Sequence, residues 1–243
     1  MDVKTAGRTV ELFELFARAR TPLSLSEMAR ALSAPLSSCF NLVRALEARG
    51  YLYGVAGRRI YPTRKLANIC SAIIAGEPWM ERFEPRLIAL RDMTQETTIL
   101  GKRLGDQAIY LAVIEGPQNV RYSAQAGDLK PLHASSIGKA LLIAMSRAER
   151  EATVARLRQE ARTGATITDR AALLADLDRC AARGLAETRG ENVPDVMAIA
   201  KPVRMDDDLY AIAVAGPMHR MKANIDRHKK QLVELCADIA AVT

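Results

Sequence analysis

Apolar residues in the first quarter of the chain recur at helical spacing in short runs, then at strand spacing. Val10, Leu12, Phe13 and Phe16 form an apolar stripe on a helix that Thr5 is placed to cap. Thr21-Pro22 ends it, because proline disfavours helix at the residue before it. Ser24 stands three residues before Glu27, the spacing of a capping box, and opens a second helix, SEMARAL. Ser33-Ala34-Pro35 makes a turn. Leu42, Val43 and Leu46 follow Cys39 at 3, 4 and 7 residues, the buried face of a third helix from about Leu36 to Arg49 that Gly50 stops. Tyr51-Leu52-Tyr53 and Arg59-Ile60-Tyr61 are strand-like runs flanking Val55-Ala56-Gly57-Arg58. This is the outline of a winged helix-turn-helix, a module that puts its second motif helix into the major groove of DNA.

Pro62-Thr63 opens a further helix through Lys65 to about Ile74, broken at Gly76-Glu77-Pro78. Beyond it the pattern changes. A helix from about Trp79 to Met93 leads into strand candidates at 97–103, 107–114 and 119–125. A loop at 126–134 precedes a helix from Ser135 to about Met145. Helices at 147–160 and 169–183, strands at 185–189, 196–204 and 208–215, and a final helix from Lys222 to Ala241 complete the pattern. The fold class is α+β, with one antiparallel sheet and helices packed on it. The division expected is a winged helix-turn-helix over 1–61, a linker helix over 62–78 and a second domain over 79–243.

Charge sharpens this division. Residues 1–65 carry 11 Lys and Arg against 5 Asp and Glu, and the remainder carry 24 against 23. Nearly all of the formal net charge of +7 therefore sits on the first quarter. That is the distribution of a DNA-binding head on a near-neutral body. No run of uncharged apolar residues is long enough to span a membrane, and the acidic, amphipathic N-terminus does not read as a signal peptide. Cys39, Cys70, Cys180 and Cys236 are scattered, without CxxC or a nearby His pair, and read as buried thiols of a cytoplasmic protein. No metal site and no cofactor are expected.

The face of the third helix opposite its apolar stripe presents Ser37, Ser38, Phe40, Asn41 and Arg44, side chains that meet phosphates, base edges and thymine methyls. Ser24 and Ser26 at the start of the second helix, and Arg58 and Arg59 at the wing tip, complete the expected DNA-facing set. In the body, Ser135, Ser136 and Ile137 stand where a loop becomes a helix. Free amides and the helix dipole there suit an anion, although a serine pair is also explained by capping alone. Leu100, Tyr110, Tyr122 and Met197 fall on predicted inward-facing strand positions, where they are core residues or cavity walls. His133, beside Ser135, is a further effector-binding candidate; it is too close in sequence to be a hydrolase partner, and no G-x-S-x-G elbow exists. His219 and His228 read as solvent-facing on a basic last helix whose outer face carries Arg227, Lys229 and Lys230. Asp206-Asp207-Asp208 reads as a hairpin turn.

LSEMARAL, the following turn proline and ALEARGYL in the first part, with PLHASSIGKALL at 131–142 and IAKPV…AIAVAGP at 199–217, resemble the IclR family of bacterial transcription regulators over essentially the whole chain. The resemblance implies a winged helix, a linker helix and a GAF-like effector-binding domain, in a homodimer or homotetramer that binds double-stranded palindromic operator DNA and answers to a small organic metabolite. Two departures matter. Relatives often carry a basic residue at the position of Leu36 and His-Arg at Phe40-Asn41. Positions that hold Asp, Cys and Ser around small keto acids in some members correspond here to Thr188, Ala198, Ala213 and Ala215. The expected effector is therefore a small organic acid with an apolar or aromatic body, and the expected role is control of a catabolic operon without catalysis. The competing class is an enzyme or stand-alone sensor whose winged helix makes protein contacts. It would need a nucleophile–base pair or metal cluster, which the sequence does not display.

Overall fold

The computed structural model describes residues 4–76, 78–205 and 207–241. The chain forms two compact units, Met1–Pro78 and Trp79–Thr243. The first contains α1 (Lys4–Ala19), β1 (Leu23–Ser24), α2 (Leu25–Ala31), α3 (Leu36–Ala48), β2 (Leu52–Val55), β3 (Arg59–Pro62) and α4 (Lys65–Ala75). Leu12 and Phe16 of α1, Met28 of α2, Cys39, Val43 and Leu46 of α3, and Leu52 of β2 make its core. Val10 does not join them and lies exposed. Two residues from Leu12, it sits about 200° round the helix. Thr5 falls inside α1 and does not precede it.

Ser24 opens α2 as expected: its hydroxyl accepts from the Glu27 N–H at 3.3 Å, and Glu27 Oε2 accepts from the Ser24 N–H at 2.7 Å. That N–H, with the Ser24 hydroxyl, holds the Glu27 carboxyl below the usual carboxylate range. Leu23–Ser24 also adds a strand to β3, giving the sheet order β1-β3-β2. Two residues are too few to show an alternation, so this strand has no signature in the sequence.

The second unit contains α5 (Pro78–Thr94), β4 (Thr97–Leu104), β5 (Gln107–Ile114), β6 (Leu129–Pro131), α6 (Ser136–Ile143), α7 (Arg147–Arg156), α8 (Arg170–Arg183), β7 (Ala186–Arg189), β8 (Val196–Met205), β9 (Asp208–Pro217), α9 (Met218–Ala223) and α10 (Ile225–Ala241). Its six strands form one antiparallel sheet in the order β6-β5-β4-β9-β8-β7. The pleat sends alternate residues to two cores. Ile99, Ala198, Ala200, Ala211, Ala213 and Ala215 meet α6 and α8 on one face. Leu100, Met197, Ile199, Ile212 and Val214 meet Phe83, Leu87, Leu232 and Leu235 on the other.

The alanine-rich strand face lets α6 lie close to the sheet, and two glycines carry this further. A Cβ on Gly138 would stand 2.4 Å from the Leu132 Cα, and one on Gly101 would stand 2.7 Å from Ile137 Cγ2. Helix α6 is consequently held without slack, and Ser136 through Leu142 are all buried.

Several expectations need correcting. Residues 119–125 form no strand. Both edges of β4 are already taken by β5 and β9, and the segment is held instead by side chains: Thr97 Oγ1 donates to the Tyr122 carbonyl at 2.5 Å and Arg220 Nη2 to the Val120 carbonyl at 3.0 Å. The last helix is two, α9 and α10. His228 is buried, on the α10 stripe that continues through Leu232, Leu235 and Ile239. Cys70 is exposed while the other three thiols are buried. Part of the Asp206-Asp207-Asp208 turn lies outside the described residues. Asp208 accepts from Lys102 Nζ at 2.6 Å.

Candidate functional site

The first unit presents one coherent polar-apolar face. Pro35 precedes α3 without a side-chain cap, leaving the first amides of that helix without side-chain partners of their own. Leu36, Ser37, Ser38, Phe40, Asn41 and Arg44 are exposed along it, and the Arg44 guanidinium stands 5.7 Å from the Phe40 ring centroid. Leu36 and Phe40, 53% and 46% exposed, add apolar surface to this otherwise polar face. Ser38 and Asn41 also line a groove of about 340 Å³ with Thr5 and Arg8 of α1. Arg8 was not among the expected residues; the packing of α1 beside α3 brings it there, and no local pattern announces that.

Ser26 and Arg58 are exposed, the latter in the left-handed region at φ 57° at the hairpin tip. Ser24 and Arg59 are differently employed. Ser24 caps α2, and Arg59 Nη1 donates to the Pro22 carbonyl at 2.7 Å and to Glu27 Oε2 at 3.3 Å. These two brace the wing against α2.

In the second unit a cavity of about 20 Å³ lies where the N-terminus of α6 meets the sheet. Ser135 and Ser136 line it, with Ile99, Tyr110, Tyr122, Thr188, Ala198 and Ala215, with Asn192 and Val193 from the β7–β8 connection, and with Val196 at the start of β8. The two serines differ. The Ser135 hydroxyl donates to the Pro131 carbonyl at 2.7 Å and accepts from the Gly138 N–H at 3.1 Å, so it is spent on capping. Ser136, Thr188 and Asn192 make no side-chain hydrogen bond among the described residues. The Ser136 and Ile137 amides, in the first turn of α6, have no helical acceptor. Burial pushes the Tyr110 phenol well above its usual range, so it stays a neutral donor. The arrangement is a small chamber with unused donors at a helix N-terminus and aromatic and aliphatic walls, suited to an anionic head on an apolar body.

The expected lining is brought together only in part. Tyr110, Tyr122, Ser135, Ser136, Thr188, Ala198 and Ala215 meet at the cavity. Leu100 and Met197 do not: each is one residue out of phase with a cavity residue, Ile99 and Ala198, and the pleat sends both to the opposite core. Ile137 and Ala213 pack beneath α6. His133 lies in a separate cavity of about 420 Å³ with Arg156, Arg158 and Arg162. Its Nε2 stands 3.0 Å from the Glu160 carbonyl, which can only accept, so that nitrogen carries the proton, and burial lowers the pKa of the ring. Asn192 and Val193 were missed because the connection that carries them has no periodicity; Val196 begins the strand expected at 196–204 but was not singled out.

A family model described as the bacterial transcriptional regulator IclR C-terminal domain matches residues 73–241, and one described as the IclR helix-turn-helix domain matches residues 5–55. The chain belongs to the IclR family. This IclR-family chain is 32% identical over 222 residues to the probable transcriptional regulator SauR of Cupriavidus necator, covering 89% of this chain and 87% of that one. The solved structure of Thermotoga maritima IclR matches with a TM-score of 0.82 at 20% identity, over 99% of this chain and 98% of that chain. An IclR homolog from Microbacterium hydrocarbonoxydans, complexed with 4-hydroxybenzoate, matches with a TM-score of 0.74 at 20% identity, over 98% and 99%. The IclR-family protein is thus a transcriptional regulator, with a helix-turn-helix head and an effector-binding body. Among its described residues no helix is long and apolar enough to cross a membrane, and no cluster of three or more metal-ligating side chains occurs.

Proposed function

We propose that this regulator controls a catabolic operon by binding operator DNA through α3 and the wing, and that a small aromatic or similarly apolar organic acid in the α6 cavity sets its occupancy. The observation that carries the effector reading is the buried α6 N-terminus, where the Ser136 hydroxyl and amide stand unused beside two tyrosines. A carboxylate there gains the helix dipole and hydrogen bonds without a counter-cation. The 4-hydroxybenzoate held by one fold neighbour is an acid of this class, which supports the reading. The alanines contribute less to it than the sequence suggests. Ala213 serves the packing of α6, while Thr188 and Asn192 add polar groups to the walls.

Helix α4 supports a second copy as partner. None of its residues is buried, Ile73 and Ile74 are 60% and 68% exposed, and after Lys65 it carries no formal charge to repel its own image. Two heads so joined would meet half-sites about one helical turn of DNA apart, ~34 Å or a multiple of it. An Ile74→Glu variant should sediment as a smaller species than the parent.

The effector test is isothermal titration of the full chain with benzoate, 4-hydroxybenzoate and benzamide. The acids should bind at least about tenfold tighter than the amide; equal binding would remove the anion site. DNA from upstream of the encoding gene should shift in a salt-sensitive manner, and the acid that binds should alter that shift.

A further inference from the structure

Lys139, on the second turn of α6, is fully buried, and its role is not explained by the cavity floor alone. Its ammonium donates to Asp176 Oδ2 on α8 at 2.7 Å and to Glu191 Oε2 at 2.5 Å. Glu191 immediately precedes Asn192 and Val193, which line the cavity. The Glu191 backbone is held as well: Thr166 Oγ1 donates to its carbonyl at 2.6 Å, and Thr163 Oγ1 donates to the Gly190 carbonyl at 2.6 Å. Burial pushes the Glu191 carboxyl up despite the neighbouring ammonium, as expected of a pair withdrawn from water.

The cavity of about 20 Å³ has room for roughly one water molecule. A ring-bearing acid enters only if a wall gives way. The floor cannot, because Gly138 and Gly101 leave no slack between α6, Leu132 and β4. Strands β4, β8 and β9 cannot, since each is paired along both edges. The Tyr122 segment, which belongs to no strand, is pinned by the Thr97 hydroxyl and the Arg220 guanidinium. The β7–β8 connection carries no continuous ladder: the Gly190 N–H donates to the Val196 carbonyl and the Met218 N–H to the Asp195 carbonyl, each at 2.7 Å, and its ion pair to the floor is Lys139–Glu191.

The geometry points to Lys139 and Glu191 as positioning residues for the effector cavity: the buried ammonium latches the movable wall, at Glu191, to the helix whose N-terminus is the floor. Asp176 holds the other side of the same ammonium but belongs to α8, which does not line the cavity. This inference rests on the effector reading above, and the latch sets how readily an acid is admitted.

The test compares Glu191→Gln with Asp176→Asn in the full chain, each removing one carboxylate charge from Lys139 and keeping the side-chain shape. Amide hydrogen exchange followed by mass spectrometry should show residues 190–196 exchanging about tenfold faster in Glu191→Gln, and at the parental rate in Asp176→Asn. Stopped-flow mixing with 4-hydroxybenzoate should show faster association in Glu191→Gln only. Equal exchange in the two variants, whether raised or unchanged, would overturn the latch, since a merely structural ion pair would respond alike to either loss. If neither 4-hydroxybenzoate nor benzoate binds any of the three proteins while the exchange contrast holds, the wall assignment stands and the effector reading falls.

Discussion

Helices α3 and α6 each carry their N-terminus in a proposed binding site, and they are built in opposite ways. Helix α3 has a proline before it, no side-chain cap and half its surface in solvent. Helix α6 is capped by Ser135 and buried from Ser136 to Leu142. A surface helix tolerates substitution wherever its side chains end in water, so its chemistry can be retuned residue by residue. A buried helix is constrained on every side, and only the few atoms at its first turn are free to meet a ligand. The difference explains why residues with reading chemistry on α3 stand together in the sequence while the α6 cavity is lined from six separate stretches of chain.

The contrast can be broken most severely at Gly138. Gly138→Ala puts a methyl group into the Leu132 backbone, and overpacking of that kind costs about 1–3 kcal/mol or more. The body should melt markedly earlier by calorimetry while the head keeps its transition. The equivalent challenge to α3 is functional: Arg44→Ala should weaken operator binding 10- to 100-fold, the ~1–3 kcal/mol of a base-edge contact, with no change in melting. An Arg44→Ala protein of parental affinity and salt dependence would remove this residue from the reading face.

Within α6 the two serines should separate. Ser135→Ala loses a cap and about 1 kcal/mol of stability, seen as a lower denaturation midpoint. Ser136→Ala should leave the midpoint alone and weaken acid binding several-fold, as expected for one hydrogen bond to a carboxylate. The smallest effect is on pH. Burial depresses the pKa of both His133 and His228, so in the folded body they stay neutral where the unfolded chain, with histidines near 6.5, takes up protons. Their contribution is intact above that value and is lost as pH falls below it. The body should therefore lose a few degrees of melting temperature between about pH 7.5 and 5.5. The head, which contains no histidine, should lose little, and His228→Leu should flatten the slope.

How much could be read in advance follows the same division. The Ser24–Glu27 spacing located the start of α2 to the residue because a capping box is a local hydrogen-bond circuit, complete within four residues. The face of α3 was legible from its 3-4-7 stripe. At the cavity, Ser135 and Ser136 were legible as a loop-to-helix junction, while Leu100 and Met197, read as core or cavity wall, are core residues on the sheet face away from the cavity. One residue of pleat phase decides that, and β5 takes up a bulge opposite Leu100 and Gly101 that no composition reveals. His228 could have been found by extending the Leu232, Leu235 and Ile239 stripe backward. Asn192 could not, because irregular chain has no period to extend.

A basic head with a reading helix, an α+β body and a helix N-terminus carrying two serines can be read along the chain, because capping, charge and periodicity are local properties written in neighbouring residues. Which strand residues face the cavity, that Ser135 is spent and Ser136 free, and that a buried lysine on α6 holds the far wall through Glu191, 52 residues along the chain, follow from the folded arrangement. Those depend on pleat phase and on contacts between distant segments, which become definite only when the sheet has closed around α6.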